Sequence, residues 1–390
     1  MINFKLCKSA GTCISKSIFL LFLFATTFVS AQETINASIT HDGLERDYIL
    51  YVPANYTGKK PVPLVFNFHG YTSNATEQMF YGDFRPIADR EGFIIVHPEG
   101  TLDYAGNTHF NVGWGGSTVD DIGFTAALLD TISSQYKVNH KRVYSTGMSN
   151  GGFMSYTLAC TLSNRIAAIA SVTGTMNVGQ DALCSPDRPV PVMEIHGTND
   201  LTVPYEGTDF FQDTESVIDY WVAVNNTKST PKIINIPDTN TTDGSTVEHF
   251  IYKRGDRGVQ VELFKIIGGG HTWPGSAFDL GIGTNYDINA SEEVWKFFSR
   301  YDINGRIRNH YRPRQNGCKV NVFHNATNAY ITVDNDFSEN TPYKIISAKG
   351  KVVSTGEISK ESATIDISNL SSKMYFLKIK NNVYKVLKTK

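Results

Sequence analysis

The chain has 390 residues, 19% of them charged and 12% aromatic, with a formal net charge of -2 and 5 cysteines. That length suits one large α/β domain with a smaller domain beside it. The near-neutral balance supplies no concentrated positive field, so nucleic acid and anionic membrane surfaces are not expected partners, and neutral substrates fit better.

Taken in order, Lys5, Lys8 and Lys16 precede the apolar run from Ile18 to Phe24, and Val29-Ser30-Ala31 supplies small residues at a cleavage point. Residues 1–31 therefore read as a secretory signal peptide. The alternative is an uncleaved anchor helix, but the run is short for the ~20 residues a bilayer requires, so no stable membrane span is expected after cleavage. Cys7 and Cys13 leave with the peptide. Pro63 to Phe68 reads as a buried strand closed by His69-Gly70-Tyr71, and Ile122 to Ile132 as an amphipathic segment. Such alternation argues for βαβ units and a mainly parallel, doubly wound sheet covered on both faces.

The strand-like Arg142 to Thr146 leads through Gly147-Met148-Ser149-Asn150-Gly151 into the helix-compatible Gly152 to Ala159. Ser-Asn-Gly is also ordinary turn chemistry. The strand-to-helix context instead points to a nucleophile elbow, in which small neighbours relieve crowding and the helix N-terminus aims amide hydrogens at developing negative charge. Two more apolar runs follow, Ile166 to Val172 and Val190 to Ile195, the second ending in His196-Gly197-Thr198-Asn199-Asp200. Val259 to Ile267 then runs into Gly268-Gly269-Gly270-His271. Ser291 to Phe298 reads as the last helix of this region, with a serine cap, and Val294, Phe297, Phe298 and Tyr301 fall at helical spacing.

Ser149, Asp200 and His271 thus occur in the chain order of α/β-hydrolases. His271 would take the proton from Ser149 and return it to the leaving group, while Asp200 orients the imidazole and stabilises its cation. The backbone of Asn150, next after the nucleophile, and that of Tyr71 are the expected oxyanion donors. His69 is expected to buttress its loop by hydrogen bonding, and His196 reads as a loop histidine. Neither H-E-x-x-H nor clustered Cys/His spacing occurs, so no metal and no cofactor are expected.

Phe68-His69-Gly70, Asp120-Asp121-Ile122-Gly123-Phe124, Gly147-Met148-Ser149-Asn150-Gly151-Gly152, His196-Gly197-Thr198-Asn199-Asp200 with Val203-Pro204-Tyr205, and Gly270-His271-Thr272-Trp273-Pro274 together resemble the secreted polyhydroxybutyrate depolymerase and feruloyl esterase family, within carbohydrate esterase family one. The resemblance spans Ile39 to Tyr301. It implies a nucleophile at Ser149, an acid at Asp200 and a base at His271, the residues already chosen.

Export makes the remaining cysteines interpretable, because disulfides persist outside the cytoplasm. Cys160, behind the elbow, and Cys184, ahead of the strand leading to Asp200, form the expected pair, with two buried thiols as the alternative; Cys318 is left unpaired. Residues 303–318 shift to Gly, Asn, Pro and Arg, as in an exposed connector. From 319 to 390 short alternating runs appear, Tyr330 to Val333, Tyr343 to Ile346, Ala363 to Ile367 and Met374 to Ile379, giving a small antiparallel β-sandwich. This segment resembles the C-terminal sorting domain of type IX secretion, which implies that machinery as a partner. Ser372-Lys373-Met374 stands where that family usually has glycine before its tyrosine, and a carbohydrate-binding module is the rival reading.

The expected domains are therefore the signal peptide 1–31, an α/β-hydrolase catalytic domain 32–302, a linker 303–318 and a sorting domain 319–390. The expected function is a secreted serine carboxylester hydrolase acting on feruloyl or acetyl esters of plant-wall polysaccharide. Polyester depolymerisation and a non-catalytic binding protein on a hydrolase scaffold are the alternatives. Trp114 and Trp273 are candidate substrate walls, each equally placed to be a packing tryptophan.

Overall fold

The computed structural model describes residues 32–278, 283–307, 320–324, 330–335, 340–347, 351–358, 362–379 and 382–388. The signal-peptide segment, Cys318 and most of the connector lie outside the described residues. The chain divides into two compact units, 1–307 and 308–390.

The first unit opens with strands β1 (Glu33–His41), β2 (Leu44–Val52) and β3 (Val62–Phe68), then helices α1 (Ala75–Tyr81) and α2 (Arg85–Glu91). Strand β4 (Ile94–Pro98) and the short pair β5 (Thr101–Leu102) and β6 (Thr108–His109) precede α3 (Asp121–Gln135). The centre of the unit is β7 (Val138–Met148), α4 (Asn150–Thr161), β8 (Ala168–Val172), α5 (Gln180–Leu183) and β9 (Val192–Gly197). It closes with α6 (Thr214–Val224), β10 (Lys232–Ile236), β11 (Thr246–Tyr252), β12 (Val261–Ile267), α7 (Ala290–Phe298), β13 (Tyr301–Asp302) and β14 (Gly305–Arg306).

Ten strands form one sheet in the order β1-β2-β4-β3-β7-β8-β9-β12-β11-β10. The six central strands, β4 to β12 in that order, pair in parallel. Antiparallel pairs flank them at both edges. The interior strands β3, β4, β8 and β9 are almost wholly buried, which is why they read as continuous apolar runs rather than as alternating ones. One face is covered by α3, α4 and α6 through Phe124, Leu128, Phe153, Leu158, Val217 and Trp221, and the other by α2 and α7 through Ile87, Val294, Trp295 and Phe298. This is the expected α/β-hydrolase arrangement.

Two local expectations differ. Helix α7 is capped by Asn289, whose side chain accepts from the Glu292 amide, and Ser291 lies inside the helix, buried. Ser291 instead accepts a hydrogen bond from the Trp273 indole at 3.1 Å. Tyr301 falls beyond the helix, on β13. Cys160 and Cys184 are joined as a disulfide, with 4.9 Å between their Cα atoms, tying α4 to the end of α5. Among the described residues no helix is long and apolar enough to cross a membrane.

The second unit comprises β15 (Val320–His324), β16 (Tyr330–Asn335), β17 (Thr341–Ser347), β18 (Val352–Ile358), β19 (Ser362–Asp366), β20 (Met374–Ile379) and β21 (Asn382–Leu387). They form a three-stranded sheet, β15-β16-β19, and a four-stranded one, β18-β17-β20-β21, all antiparallel. Ile331, Val333, Ile345, Ile358, Leu377 and Val386 share one core, the small β-sandwich expected from the alternating runs. Tyr375 belongs to that core and Phe376 is half-buried.

The bridge closes a loop across a sequence separation of 24, for which cross-linking is worth about 3 kcal/mol. Cys160→Ser and Cys184→Ser are each expected to lower stability by that order, and the double variant by no more than either, measured by chemical denaturation with and without reductant.

Candidate active site

Ser149 sits between the last residue of β7 and the first of α4, with φ 53° and ψ -118°. A residue bearing a Cβ pays for such a conformation, and it persists because the surroundings over-determine it. Three glycines make the turn possible. A Cβ at Gly147 would stand 2.5 Å from the Phe68 carbonyl oxygen, and one at Gly151 would collide with the same oxygen. At Gly152 a Cβ would strike Ser171 Oγ. The strand-turn-helix is therefore pressed directly onto the end of β3. The Ser149 amide donates to Val172 O at 2.8 Å and its carbonyl accepts from Gly152 N at 2.7 Å, so backbone bonds hold the residue from both sides.

Adjacent parallel strands deliver the other two residues. β9 and β12 pair in register, Ile195 beside Phe264 and Gly197 beside Ile266, so the segments leaving their C-terminal ends lie side by side. A Cβ at Gly197 would lie 2.5 Å from Gly269 C and 2.7 Å from Gly270 O, which is the close approach that the glycine run after β12 accommodates. Asp200 and His271 meet there, with His271 Nδ1 2.7 Å from Asp200 Oδ2. The other carboxylate oxygen of Asp200 accepts from the amides of Thr202 and Val203, each at 2.8 Å. Burial works against the Asp200 charge, but hydrogen bonds from His196 and His271 hold its carboxyl well below the usual carboxylate range.

Gly70 brings the loop after β3 against the elbow, since a Cβ there would be 3.5 Å from that of Ser149. His69 Nδ1 donates to Gly70 O at 2.7 Å and its Nε2 accepts from Gly100 N at 2.9 Å, the buttressing role expected of it. Tyr71 follows, its hydroxyl donating to Asp103 at 2.7 Å. The Asn150 side chain clasps Phe110, its Oδ1 accepting from the amide at 2.7 Å and its Nδ2 donating to the carbonyl at 3.0 Å. Among the described residues no acceptor partners the backbone N–H of Tyr71 or of Asn150.

The two tryptophans separate. Trp114 is half-buried, donates to Asn177 Oδ1 at 2.8 Å and lines a cleft of about 480 Å³ with Gly113, Asn177, Val178, Phe210 and Phe211. Its ring packs against Tyr71, Phe153 and Phe211. Trp273, expected as a second wall, is 1% exposed and sits edge-on to Phe84. With its indole nitrogen taken by Ser291, it is a packing residue and anchors the His271 loop.

His196 is a correction of another kind. It is a fully buried residue of β9, not of a loop; the motif reading included it without this placement, and Glu194, Phe210 and Phe211 lie outside every motif. A glutamate inside an otherwise apolar strand was the one available signal for Glu194 and for the placement of His196. Asp120 caps α3, and Asp121 is buried against Arg46 Nη2 at 2.5 Å. His41, Asp42 and Asp120 gather side-chain atoms within 4.8 Å of one another in a largely exposed group.

An elbow serine after one central strand, with an Asp–His pair at the C-terminal ends of two other parallel strands of the same doubly wound sheet, is the arrangement of an α/β-hydrolase. Residues 46–188 match the family model described as esterase PHB depolymerase, and residues 321–390 match the secretion system C-terminal sorting domain. Over those residues the first unit is similar to esterases of the polyhydroxybutyrate depolymerase type, and the second unit to a secretion sorting domain. The chain is 28% identical over 282 residues to the bifunctional acetylxylan esterase/xylanase XynS20E of Neocallimastix patriciarum, covering 70% of this chain and 36% of that protein. With feruloyl esterase B of Piromyces equi it shares 32% identity over 231 residues, 58% of this chain and 42% of the other. With feruloyl esterase C of Emericella nidulans it shares 25% over 258 residues, 65% and 83% respectively. The chain therefore spans less than half the length of the first two of these curated relatives.

The left-handed φ at Ser149 makes a further expectation. Ser149→Gly relieves the backbone conformation and Ser149→Ala does not, so the glycine variant should be the more stable by about 1 kcal/mol, as read from denaturant midpoints of the two.

Proposed function

We propose that the first unit is a serine carboxylester hydrolase working through an acyl-enzyme. His271 removes the proton from Ser149 as its oxygen attacks the ester carbonyl, and Asp200 holds the imidazole by Nδ1 so that Nε2 faces the reaction. The amides of Tyr71 and Asn150 receive the oxyanion, and the positive end of α4 adds to that field. His271 then protonates the departing alcohol, water attacks the acyl-enzyme, and the same proton transfers run again to free the acid. No cofactor is required. The observation that carries this reading is the strained Ser149 turn combined with the 2.7 Å Asp200–His271 bond on neighbouring strand ends.

The proposed substrates are feruloyl or acetyl esters on plant-wall polysaccharide, a reading supported by the relatives' names and by the cleft bordered by Trp114, Phe210 and Phe211, whose rings suit an aromatic acyl group or a sugar face. The family description favours a second reading, a polyester such as polyhydroxybutyrate. Purified protein assayed side by side on methyl ferulate, acetylated xylan and polyhydroxybutyrate separates the two. Ser149→Ala is expected to abolish hydrolysis of whichever ester is cut, and Asp200→Asn to lower kcat by about ten-thousand-fold through the wrong histidine tautomer. Retained turnover in either variant would reassign the corresponding role.

The second unit we read as an export signal recognised by the type IX machinery, folding on its own core apart from the chemistry. Deleting residues 319–390 should leave kcat on soluble esters unchanged while the protein accumulates in the periplasm of its native host, as measured by cell fractionation. Normal release would discard that assignment, whereas a loss confined to insoluble polymer would favour a binding module.

A further inference from the structure

Behind Asp200 the polar chain does not end. Glu194 and His196, two apart on β9, point to the same face of that strand, and both are fully buried. His196 Nε2 lies 2.8 Å from the Val203 carbonyl oxygen and 3.5 Å from Asp200 Oδ2. A carbonyl only accepts, so Nε2 carries a proton. His196 Nδ1 lies 3.0 Å from Glu194 Oε1, and Glu194 Oε2 accepts from the Tyr156 hydroxyl at 2.8 Å. An imidazole with acceptors at both nitrogens is satisfied as an imidazolium, and a buried carboxylate requires such a partner.

We infer that Glu194 and His196 are positioning residues of the proposed ester hydrolysis: Glu194 keeps His196 doubly protonated, and the resulting buried cation keeps Asp200 ionised and its Oδ2 turned to His271. The inference rests on the triad reading above. The groups facing His196 are Glu194 from its own strand, Asp200 and Tyr205 from the segment that follows, and Lys265 at its register position on β12. Lys265 is engaged by Glu215 at 2.9 Å, and Tyr156 and His271 act on His196 through Glu194 and Asp200 respectively. Burial alone would lower the His196 pKa, but hydrogen bonds to the Asp200 and Glu194 carboxylates outweigh it and raise it to about 10. Burial raises Glu194, to about 7, against hydrogen bonds from His196 and Tyr156.

The arrangement solves an electrostatic difficulty. A buried aspartate facing a single histidine favours the protonated base even before substrate arrives, because the cation is its one source of compensation. A second, permanent cation against the same Asp200 oxygen that His271 bonds supplies compensation that does not depend on His271. The base can then be neutral when Ser149 is to be deprotonated and still find a carboxylate when it becomes charged.

Two measurements test this. In protein labelled with nitrogen-15 histidine, the His196 ring signals, assigned by their loss in His196→Gln, should show both nitrogens protonated from about pH 6 to 9, and Glu194→Gln should convert them to a neutral ring at pH 8. A neutral His196 in the wild type, or a cation that survives Glu194→Gln, overturns the inference. This arm needs no ester activity, so it stands apart from any failure of the hydrolase reading. In the second arm, Glu194→Gln is expected to move the acidic limb of kcat/KM upward by about one pH unit and to lower kcat roughly tenfold with KM little changed. Glu194→Asp, which retains a carboxylate, should recover most of the shift. An acidic limb that stays in place while only thermal stability falls would make the pair merely structural and overturn the assignment. Should Glu194→Gln not fold, Tyr156→Phe removes one hydrogen bond from Glu194 at nearly constant shape, and a smaller upward shift is expected; no shift there overturns the inference equally.

Discussion

The approach of the Phe68 carbonyl to the elbow is the constraint on which the rest of this site depends. Two parallel strands end there, and the backbone of β3 presses on Gly147 and Gly151 so closely that a side chain at either position would displace it. That contact holds Ser149 in a conformation it would otherwise leave, and the turn in turn sets where α4 begins. The first amides of the helix and the loop after β3 then face the same small volume. Strain at the serine is thus sustained by packing elsewhere, principally by the buried sheet beneath it.

A parallel sheet has a second consequence. Because β9 and β12 run side by side in the same direction, residues that follow each of them arrive at the same edge, although Asp200 and His271 are 71 positions apart in the chain. The glycine run after β12 is a packing requirement at that edge, where it slides past Gly197. Trp273, buried against Phe84 and bonded to Ser291, fixes the far end of the His271 loop to the core. Positioning at the active edge therefore comes from the rigid interior.

Charge inside this unit is handled in pairs. Arg46 is buried against Asp121 and lies over the Phe124 ring, and Glu262 is held between His249 and Arg300, whose hydrogen bonds and charges outweigh burial and keep its carboxyl low. In each case an ion taken out of water is matched by an opposite charge within hydrogen-bond reach, since an unpaired one would cost several kcal/mol. Glu194, His196 and Asp200 follow the same rule, with the difference that the third member also serves His271.

The sequence by itself determined β3, β7, β8, β9 and β12, five of the ten strands of the main sheet, the elbow, the acid and base loops, the pairing of Cys160 with Cys184 as the favoured choice, and the alternating strands of the second unit. These are local signals: an apolar run four to eight residues long, a glycine beside a serine, a period of two. What only the tertiary structure decided depends on neighbours distant in sequence. Whether a tryptophan borders a cleft or fills the core turns on what packs against it, so Trp114 is half-buried at a cleft while Trp273, equivalent as a letter, is buried. The cap of α7 passed from Ser291 to Asn289 because the buried indole of Trp273 claimed the serine. His196 became a buried strand residue with Glu194, Tyr156 and Asp200 gathered about it from its own strand, a helix and a loop, and no spacing along the chain reports hydrogen bonds that link all three.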